Sequence, residues 1–251
     1  RDLEAAGDRS PAATVRLGVG QYLLGRFADA ITTLKAADGS AMALYYLGQA
    51  QAAVEAFDDA VISFRGAGRA GYEKASCEAK AAACQRKSGQ LDEAAKTLEA
   101  VASEAEGSAD YWCQVGLLSA ARGDELAVTI NALERAIAVD PLHSETLFEL
   151  GVLNDRLGND DEACDCYRGS LKRYPATVGA LLNLGLLHED RDEFSDAQRC
   201  YNRILEAYPN HPRARLFLKD SSASSDLQLD EQQKRQRDKL EQKMVLPVSD
   251  F

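Results

Sequence analysis

The side chains that could carry out acid-base or metal chemistry in this chain are few and far apart. The chain has three histidines, His143, His188 and His211. The first and last lie beside prolines, which predicts solvated turns, whereas His188 ends a helical run and is expected to line a groove. No HExxH motif, paired CxxC motif or Cys/His cluster with the spacing of zinc ligands is present. The histidines therefore predict neither a general base nor a metal centre.

The cysteines and glycines form no catalytic motif either. Cys164 and Cys166 are two residues apart, which places their side chains on different sides of a helix. Cys77 and Cys84 share one helical face, as buried core cysteines do. The Gly-rich stretch 65–71 follows a helix rather than a strand, and its glycines are not in the order of a dinucleotide-binding loop. We therefore expect no enzyme active site, no cofactor and no metal.

Composition disfavours two further classes of protein. The chain of 251 residues has 29 basic and 40 acidic residues and a net charge of −11, which disfavours direct nucleic-acid binding by Lys and Arg. No apolar run approaches the roughly 20 residues that span a bilayer. Six cysteines inside helical patterns indicate reduced thiols, and hence a cytoplasmic location. Because the sequence begins with Arg1, a fragment of a longer protein and a removed targeting segment both stay open.

A repeat of 34 residues organises the chain. The segment LFELG at 147–151 reappears as LLNLG at 181–185, an offset of 34 residues. The same offset joins Ala163 to Ala197, Tyr167 to Tyr201, and Pro175 to Pro209. Further copies can be followed upstream, with one extra residue in the fourth and a shortened first copy. The register divides the chain into six units: 11–40, 41–74, 75–108, 109–143, 144–177 and 178–211.

Each unit has the pattern of two amphipathic helices. In the fifth unit, Leu147, Leu150 and Leu153 recur at helical spacing, and Gly158 ends the run. A second run follows and stops before Pro175, which cannot extend a helix. The small residue in the first helix is expected to let two backbones approach closely. The large residue four positions after the recurring alanine of the second helix is expected to fill the adjoining gap.

This pattern of Gly, Ala, Phe or Tyr, and Pro over 34 residues resembles the tetratricopeptide repeat family. The resemblance covers residues 11–211 and implies an all-α fold, a right-handed α-solenoid of six helix-turn-helix units. Residues 1–10 are an N-terminal flank. Residues 212–221 are expected to form a C-terminal capping helix, which the serine-rich segment 221–226 ends. Residues 222–251 then form a charged helical or disordered tail.

The resemblance also implies where a partner would bind, because the first helix of each repeat lines the concave face. The expected groove residues are Val15, Val19, Tyr22, Met42, Tyr45, Gln49, Cys113, Leu117, Phe148, Val152, Asp155, Leu182, Leu186 and Glu189. The basic residues with which some family members hold an acidic C-terminal tail are missing from the corresponding helices. We therefore expect a protein-interaction scaffold that binds an apolar or amphipathic peptide or helix, with Asp155 and Glu189 selecting neutral or basic partners.

Three alternatives stay open. The repeats are the recruiting arm of a larger enzyme, such as a glycosyltransferase or kinase, whose catalytic part lies outside this chain. They belong to a transcription-associated protein, because the segment 246–251 resembles the lead-in to a domain like the C-terminal one of the bacterial RNA polymerase α chain. Or the tail helix enters a groove, either of a second copy, which gives a homo-oligomer, or of the same molecule.

Overall fold

The computed structural model describes residues 10–244, and the side chains from residue 10 to residue 236. Within this part of the chain all regular structure is helical, in thirteen helices. These are α1 (Pro11–Leu23), α2 (Phe27–Lys35), α3 (Ala41–Ala53), α4 (Phe57–Arg69), α5 (Lys74–Lys87), α6 (Leu91–Glu99), α7 (Ala109–Arg122), α8 (Leu126–Val139), α9 (Ser144–Leu157), α10 (Asp160–Arg173), α11 (Val178–Asp190), α12 (Phe194–Ala207) and α13 (Pro212–Met244). None of the described helices combines the length and apolar character needed to cross a membrane.

Helices α1 to α12 form six consecutive pairs, in which an odd-numbered first helix packs against an even-numbered second helix. The all-α solenoid of tetratricopeptide-type units expected from the sequence is confirmed, while the exact limits of the units stay a prediction. The chain divides into two compact bodies, an N-terminal body up to Thr146 and a C-terminal body from Leu147 onward. The segment 246–251, with its expected resemblance, lies outside the described residues.

Close contact between a small residue and a large one joins the helices of a pair. A Cβ atom built at Gly185 of α11 would lie 2.5 Å from Cε1 of Tyr201, and one built at Gly151 of α9 would lie 2.6 Å from Cε1 of Tyr167. Both tyrosines are fully buried. Distances this short leave no room for a side chain on the first helix. The expected steric role of the small residue is thus what the structure shows in these two pairs.

A polar residue lies in the last turn of each first helix, three positions after the small residue. This position holds Gln21, Gln51, Gln85, Ser119, Asn154 and His188. In the third pair the carbonyl of Gln85 accepts a hydrogen bond from the amide of Gln90 at 2.8 Å, which closes the turn. The side chain of Gln85 also accepts from the Thr97 hydroxyl of the second helix at 2.8 Å. Since Gln85 is buried, this bond satisfies a polar group that would otherwise be costly to bury.

Helix α13 runs without a break, so the prediction that serines 221–226 end the capping helix is wrong. The serines are accommodated because their hydroxyl groups find acceptors within reach. Ser222 Oγ donates to the carbonyl of Leu218 at 2.8 Å, and Ser221 is buried. The first turns of α13 pack on α12, where the Phe217 ring lies 5.7 Å from that of Tyr201. Most side chains from residue 223 to residue 236 are exposed.

The close approach at Gly185 can be tested with a pair of glycine substitutions. Gly185→Ala should lower the free energy of unfolding by about 1–3 kcal/mol, because the added methyl group meets the Tyr201 ring. Gly20→Ala lies inside α1 with no heavy atom within 4 Å of the added Cβ, and should raise stability by up to about 1 kcal/mol. Urea unfolding followed by circular dichroism measures both. Equal stability of Gly185→Ala and the parent chain would contradict the close packing.

Candidate partner-binding face

The expected groove residues divide into three groups by exposure. Four are buried and pack in the core: Val15, Cys113, Leu117 and Leu182. Nine are half-buried: Val19, Tyr22, Tyr45, Gln49, Phe148, Val152, Asp155, Leu186 and Glu189. Met42 is exposed. The four buried residues offer a partner no surface in this conformation.

A lysine in the N-terminal body connects three successive first helices. Lys80 of α5 places its Nζ atom 2.7 Å from Oδ1 of Asp110 on α7 and 3.5 Å from Oε2 of Glu145 at the start of α9. One side chain therefore reaches both the next first helix and the one after it. Such a contact requires the three helices to converge on this side, so it marks the inner side of the N-terminal body.

Further polar side chains extend this network. Gln114 of α7 donates to Oε1 of Glu145 at 3.1 Å, one repeat along from the contact between Lys80 and Asp110. Ser76 donates to Oδ2 of Asp110 at 3.1 Å. The carboxylate of Asp110 thus has a partner on each of its oxygens. The network is a structural unit rather than a set of independent surface charges.

His143 belongs to this network, which corrects the expectation that it is solvated. Its ring nitrogen Nε2 lies 3.3 Å from Oδ1 of Asp110, and its side chain is only 12% exposed. The other ring nitrogen contacts the hydroxyl of Thr146 at 2.7 Å. The turn before α9 brings His143 back over α7, and the proline spacing alone does not reveal this return.

Electrostatic coupling keeps the three charged residues ionised. Burial opposes the charge of Asp110, but the His143 hydrogen bond and the Lys80 ammonium hold its pKa well below the ordinary value. Burial likewise opposes the charge of Glu145, and Lys80 lowers its pKa. Burial alone would lower the pKa of Lys80, whereas Glu145 and Asp110 raise it above the usual range. Lys80 is therefore held as an ammonium ion at neutral pH.

Sequence reasoning missed Lys80, Asp110, Gln114 and Glu145. Most expected groove positions lie three residues before, one residue after or four residues after the small residue of a first helix, and Met42 lies six before it. Lys80 and Gln114 lie two residues before it, and Asp110 and Glu145 lie six before it. From the third unit to the fifth, a long polar side chain two residues before the small residue is followed in the next unit by a carboxylate six before it, and this local pattern was the available signal.

In the C-terminal body the two expected rim carboxylates contact buried tyrosines of their own repeats. The Tyr167 hydroxyl donates to Oδ2 of Asp155 at 3.4 Å and accepts from the Asn183 amide at 3.0 Å. Burial raises the pKa of Glu189, which lies beside the hydroxyl groups of Ser221 and Tyr201. Both carboxylates therefore take part in packing the repeats, and their part in partner selection stays a proposal.

His188, Glu193 and Asp196 form a group of potential metal ligands that motif spacing did not indicate. Their donor atoms lie within 4.8 Å of one another. His188 is buried rather than groove-lining, and its Nδ1 atom lies 2.5 Å from Oε2 of Glu193. Asp196 forms an ion pair with Arg199. Each of the three donors thus already has a partner within the chain.

The Lys80 network makes a prediction about stability and its pH dependence. Lys80→Met should lower the free energy of unfolding at pH 7 by about 1–3 kcal/mol, because it leaves two partly buried carboxylates without their cation. The control Lys35→Met, at an exposed position of α2, should change little.

The deficit of Lys80→Met should shrink as the pH falls toward about 4. Down to about pH 4 the change comes mainly from the variant, which gains by protonating buried carboxylates that no longer face an ammonium. The parent chain keeps the contribution of its depressed carboxyl pKa values until the pH falls below about 4. Urea unfolding at both pH values measures this change. A deficit that stays constant with pH would argue against the electrostatic origin.

Comparisons with known proteins agree with this geometry. Two models of the tetratricopeptide repeat family match residues 118–177 and 178–220. No curated protein sequence matches the chain. The fold is similar to that in the crystal structure of the APC/C hetero-tetramer Cut9-Hcn1, with a TM-score of 0.60 and 14% identity over 88% of this chain and 44% of that one. The chain thus spans less than half the length of that relative.

A second solved structure is similar over its whole length. It is TTC0263, a thermophilic tetratricopeptide repeat protein of Thermus thermophilus, with a TM-score of 0.58 and 18% identity over 73% of this chain and 100% of that one. At these identities the likeness concerns the fold alone. The family matches, the repeated pairing of helices and the small-to-large contacts all agree with tetratricopeptide-type helix pairs. Residues 118–220 match the tetratricopeptide repeat family, and the described chain is similar in fold to proteins of that family.

Proposed function

We propose that the protein is a non-catalytic scaffold that binds a peptide or a segment of another protein on the inner side of its N-terminal body. The observation that carries this proposal is the convergence of three first helices around Lys80. Tyr45, Gln49, Lys80 and Glu145 are half-buried there, and we call these four residues the inner face. Half-buried polar side chains retain surface for a partner while their positions are fixed by neighbours.

The chemistry of the inner face favours binding over catalysis. A lysine that acts as a nucleophile or a base needs a lowered pKa, whereas the neighbouring carboxylates raise that of Lys80. Gln49 donates to the Tyr45 hydroxyl at 3.1 Å, which fixes two groups that can hydrogen-bond to a peptide backbone. These groups can bind and orient a chain, and proteins of this family are generally non-catalytic scaffolds.

The half-buried groove residues of the C-terminal body, among them Phe148, Val152 and Leu186, stay a separate proposal for partner contact within that body. Attachment of the repeats to a larger enzyme or to a transcription-associated protein, and a cytoplasmic location, stay proposals from the sequence. Binding of a peptide at the inner face requires neither attachment to a larger protein nor a particular cellular location.

A display library of random peptides tests the proposal. Peptides selected on the parent chain should lose roughly tenfold or more in affinity for Gln49→Arg, because the new side chain projects into the inner face. Ile62→Arg is the matched control, since Ile62 is an exposed residue of the second helix α4. Anisotropy titrations with the selected peptides measure both variants. Equal affinity for the parent chain and Gln49→Arg would overturn the proposal.

Self-association through α13 is a second candidate, favoured by the exposed Leu227 and Leu229 in its distal half. The part of α13 from residue 223 to residue 236 has mostly exposed side chains, so it gains little stability from packing within the chain. A second copy would supply an apolar surface for Leu227 and Leu229. Light scattering of the full chain and of a chain ending at residue 221 measures this. A dimer mass that falls to the monomer mass on truncation is expected, and an unchanged mass would exclude this candidate.

A further inference from the structure

Four tyrosines of the N-terminal body form a contiguous aromatic surface, which shares Tyr45 with the inner face. Tyr22 of α1 meets Tyr46 of α3 with ring centroids 5.6 Å apart, and Tyr46 meets Tyr45 at 5.7 Å. Tyr72, in the turn after α4, stacks on Tyr45 at 4.2 Å with an interplanar angle of 9°. All four are half-buried, so part of each side chain remains open to solvent. We call these four residues the tyrosine patch.

The rings of the tyrosine patch are held in place from behind. The Phe27 ring lies 5.8 Å from that of Tyr22, and the Phe64 ring lies 5.7 Å from that of Tyr45. Phe64 is itself buried against Gly48. A ring fixed in this way loses little conformational entropy when a ligand packs on it. The edge-to-face angles of 62° and 88° turn successive rings across one another rather than into a flat sheet.

We infer that the tyrosine patch binds a proline-rich segment in the polyproline II conformation, flanked by basic residues. This inference rests on the proposed function and names the class of partner. Grooves lined by aromatic rings recognise polyproline II segments because rigid pyrrolidine rings pack on the aromatic faces at little entropic cost. Such a segment has no internal hydrogen bonds, so its carbonyl groups accept from neighbouring donors. The Gln49 amide, next to Tyr45, lies within the same surface.

Negative charge near the tyrosine patch is the reason to expect basic residues beside the prolines of the partner. Glu73 is exposed next to Tyr72. Its negative charge helps to raise the pKa of Tyr72, and that of Asp110 helps to raise the pKa of Tyr45. Lys80, the cation that acts on Tyr45, already faces Asp110 and Glu145. Together with Glu73, these charged groups leave the region with a net negative charge. An arginine or lysine beside the proline run would meet this charge and the tyrosine ring faces, both of which attract cations.

Fluorescence anisotropy with four labelled peptides tests the inference. The first has about nine prolines, roughly three turns of polyproline II, flanked by arginines. The second has the same prolines flanked by glutamates, the third replaces the prolines with glycine and serine between the same arginines, and the fourth is an amphipathic helical peptide. The first should bind the full chain most tightly, by roughly tenfold over each of the others.

Matched variants distinguish specific binding at the tyrosine patch from non-specific binding of the peptide. Tyr46→Leu and Tyr22→Leu keep an apolar side chain but lose the flat ring, and should weaken binding of the first peptide by roughly tenfold. Tyr174→Leu changes a tyrosine that is 60% exposed in the C-terminal body and should leave binding unchanged. Circular dichroism melts establish that each variant is folded, and should Tyr46→Leu not fold, Tyr22→Leu decides the outcome.

The possible failures can be told apart. No binding of the first peptide up to about 1 mM, equal binding of the glycine-serine peptide, or tighter binding of the helical peptide would each overturn the inference. If peptides without proline are selected from the library and lose affinity with Gln49→Arg, the proposed function holds and only the proline-rich partner is wrong. Equal affinity of the selected peptides for the parent chain and Gln49→Arg would show that the inner face itself is not the binding surface.

Discussion

The contact of a large side chain with a bare stretch of helix backbone is the constraint on which the rest of this structure depends. Tyr201 can lie against α11 only because residue 185 has no side chain, and Tyr167 uses Gly151 in the same way. The pair of helices is brought close enough for the polar residue at the end of the first helix to reach the second. The contact between Ser63 and Gln51, in the pair where Gly48 meets Phe64, is an example.

Neighbouring pairs are then joined by contacts that repeat along the chain. Lys80 contacts Asp110, and Gln114 contacts Glu145, each pair joining equivalent positions one repeat apart. The second bond of Lys80, to Glu145, spans 65 residues of sequence. A charged group can stay in this half-buried place because its charge is balanced on both sides. The same balance holds side chains in fixed positions at the face where a partner is proposed to bind.

The sequence predicts the fold more completely than it predicts the inner face. The fold follows from local spacing, because glycine, alanine, tyrosine and proline recur with one period, and that recurrence was enough to predict helical pairs. Helix α13 was predicted less well, since serine is a weak helix former whose hydroxyl can still be satisfied inside a helix, as Ser222 shows. The Lys80 network was not predicted, because it depends on which faces meet after stacking. The groove prediction at Cys113 was one residue away from Gln114, and in a helix one residue is a rotation of about 100°.

The ring contact between Tyr201 and Phe217 shows how one side chain changes the chemistry of the junction that follows a repeat. At Tyr167 the following repeat supplies Asn183, whose amide donates to the phenol oxygen. One period later the corresponding residue is Phe217, which offers an aromatic ring and no donor. Tyr201 thus packs on a ring at the site where Tyr167 receives a hydrogen bond, so a single amino-acid difference replaces a polar contact by an apolar one where α12 meets α13.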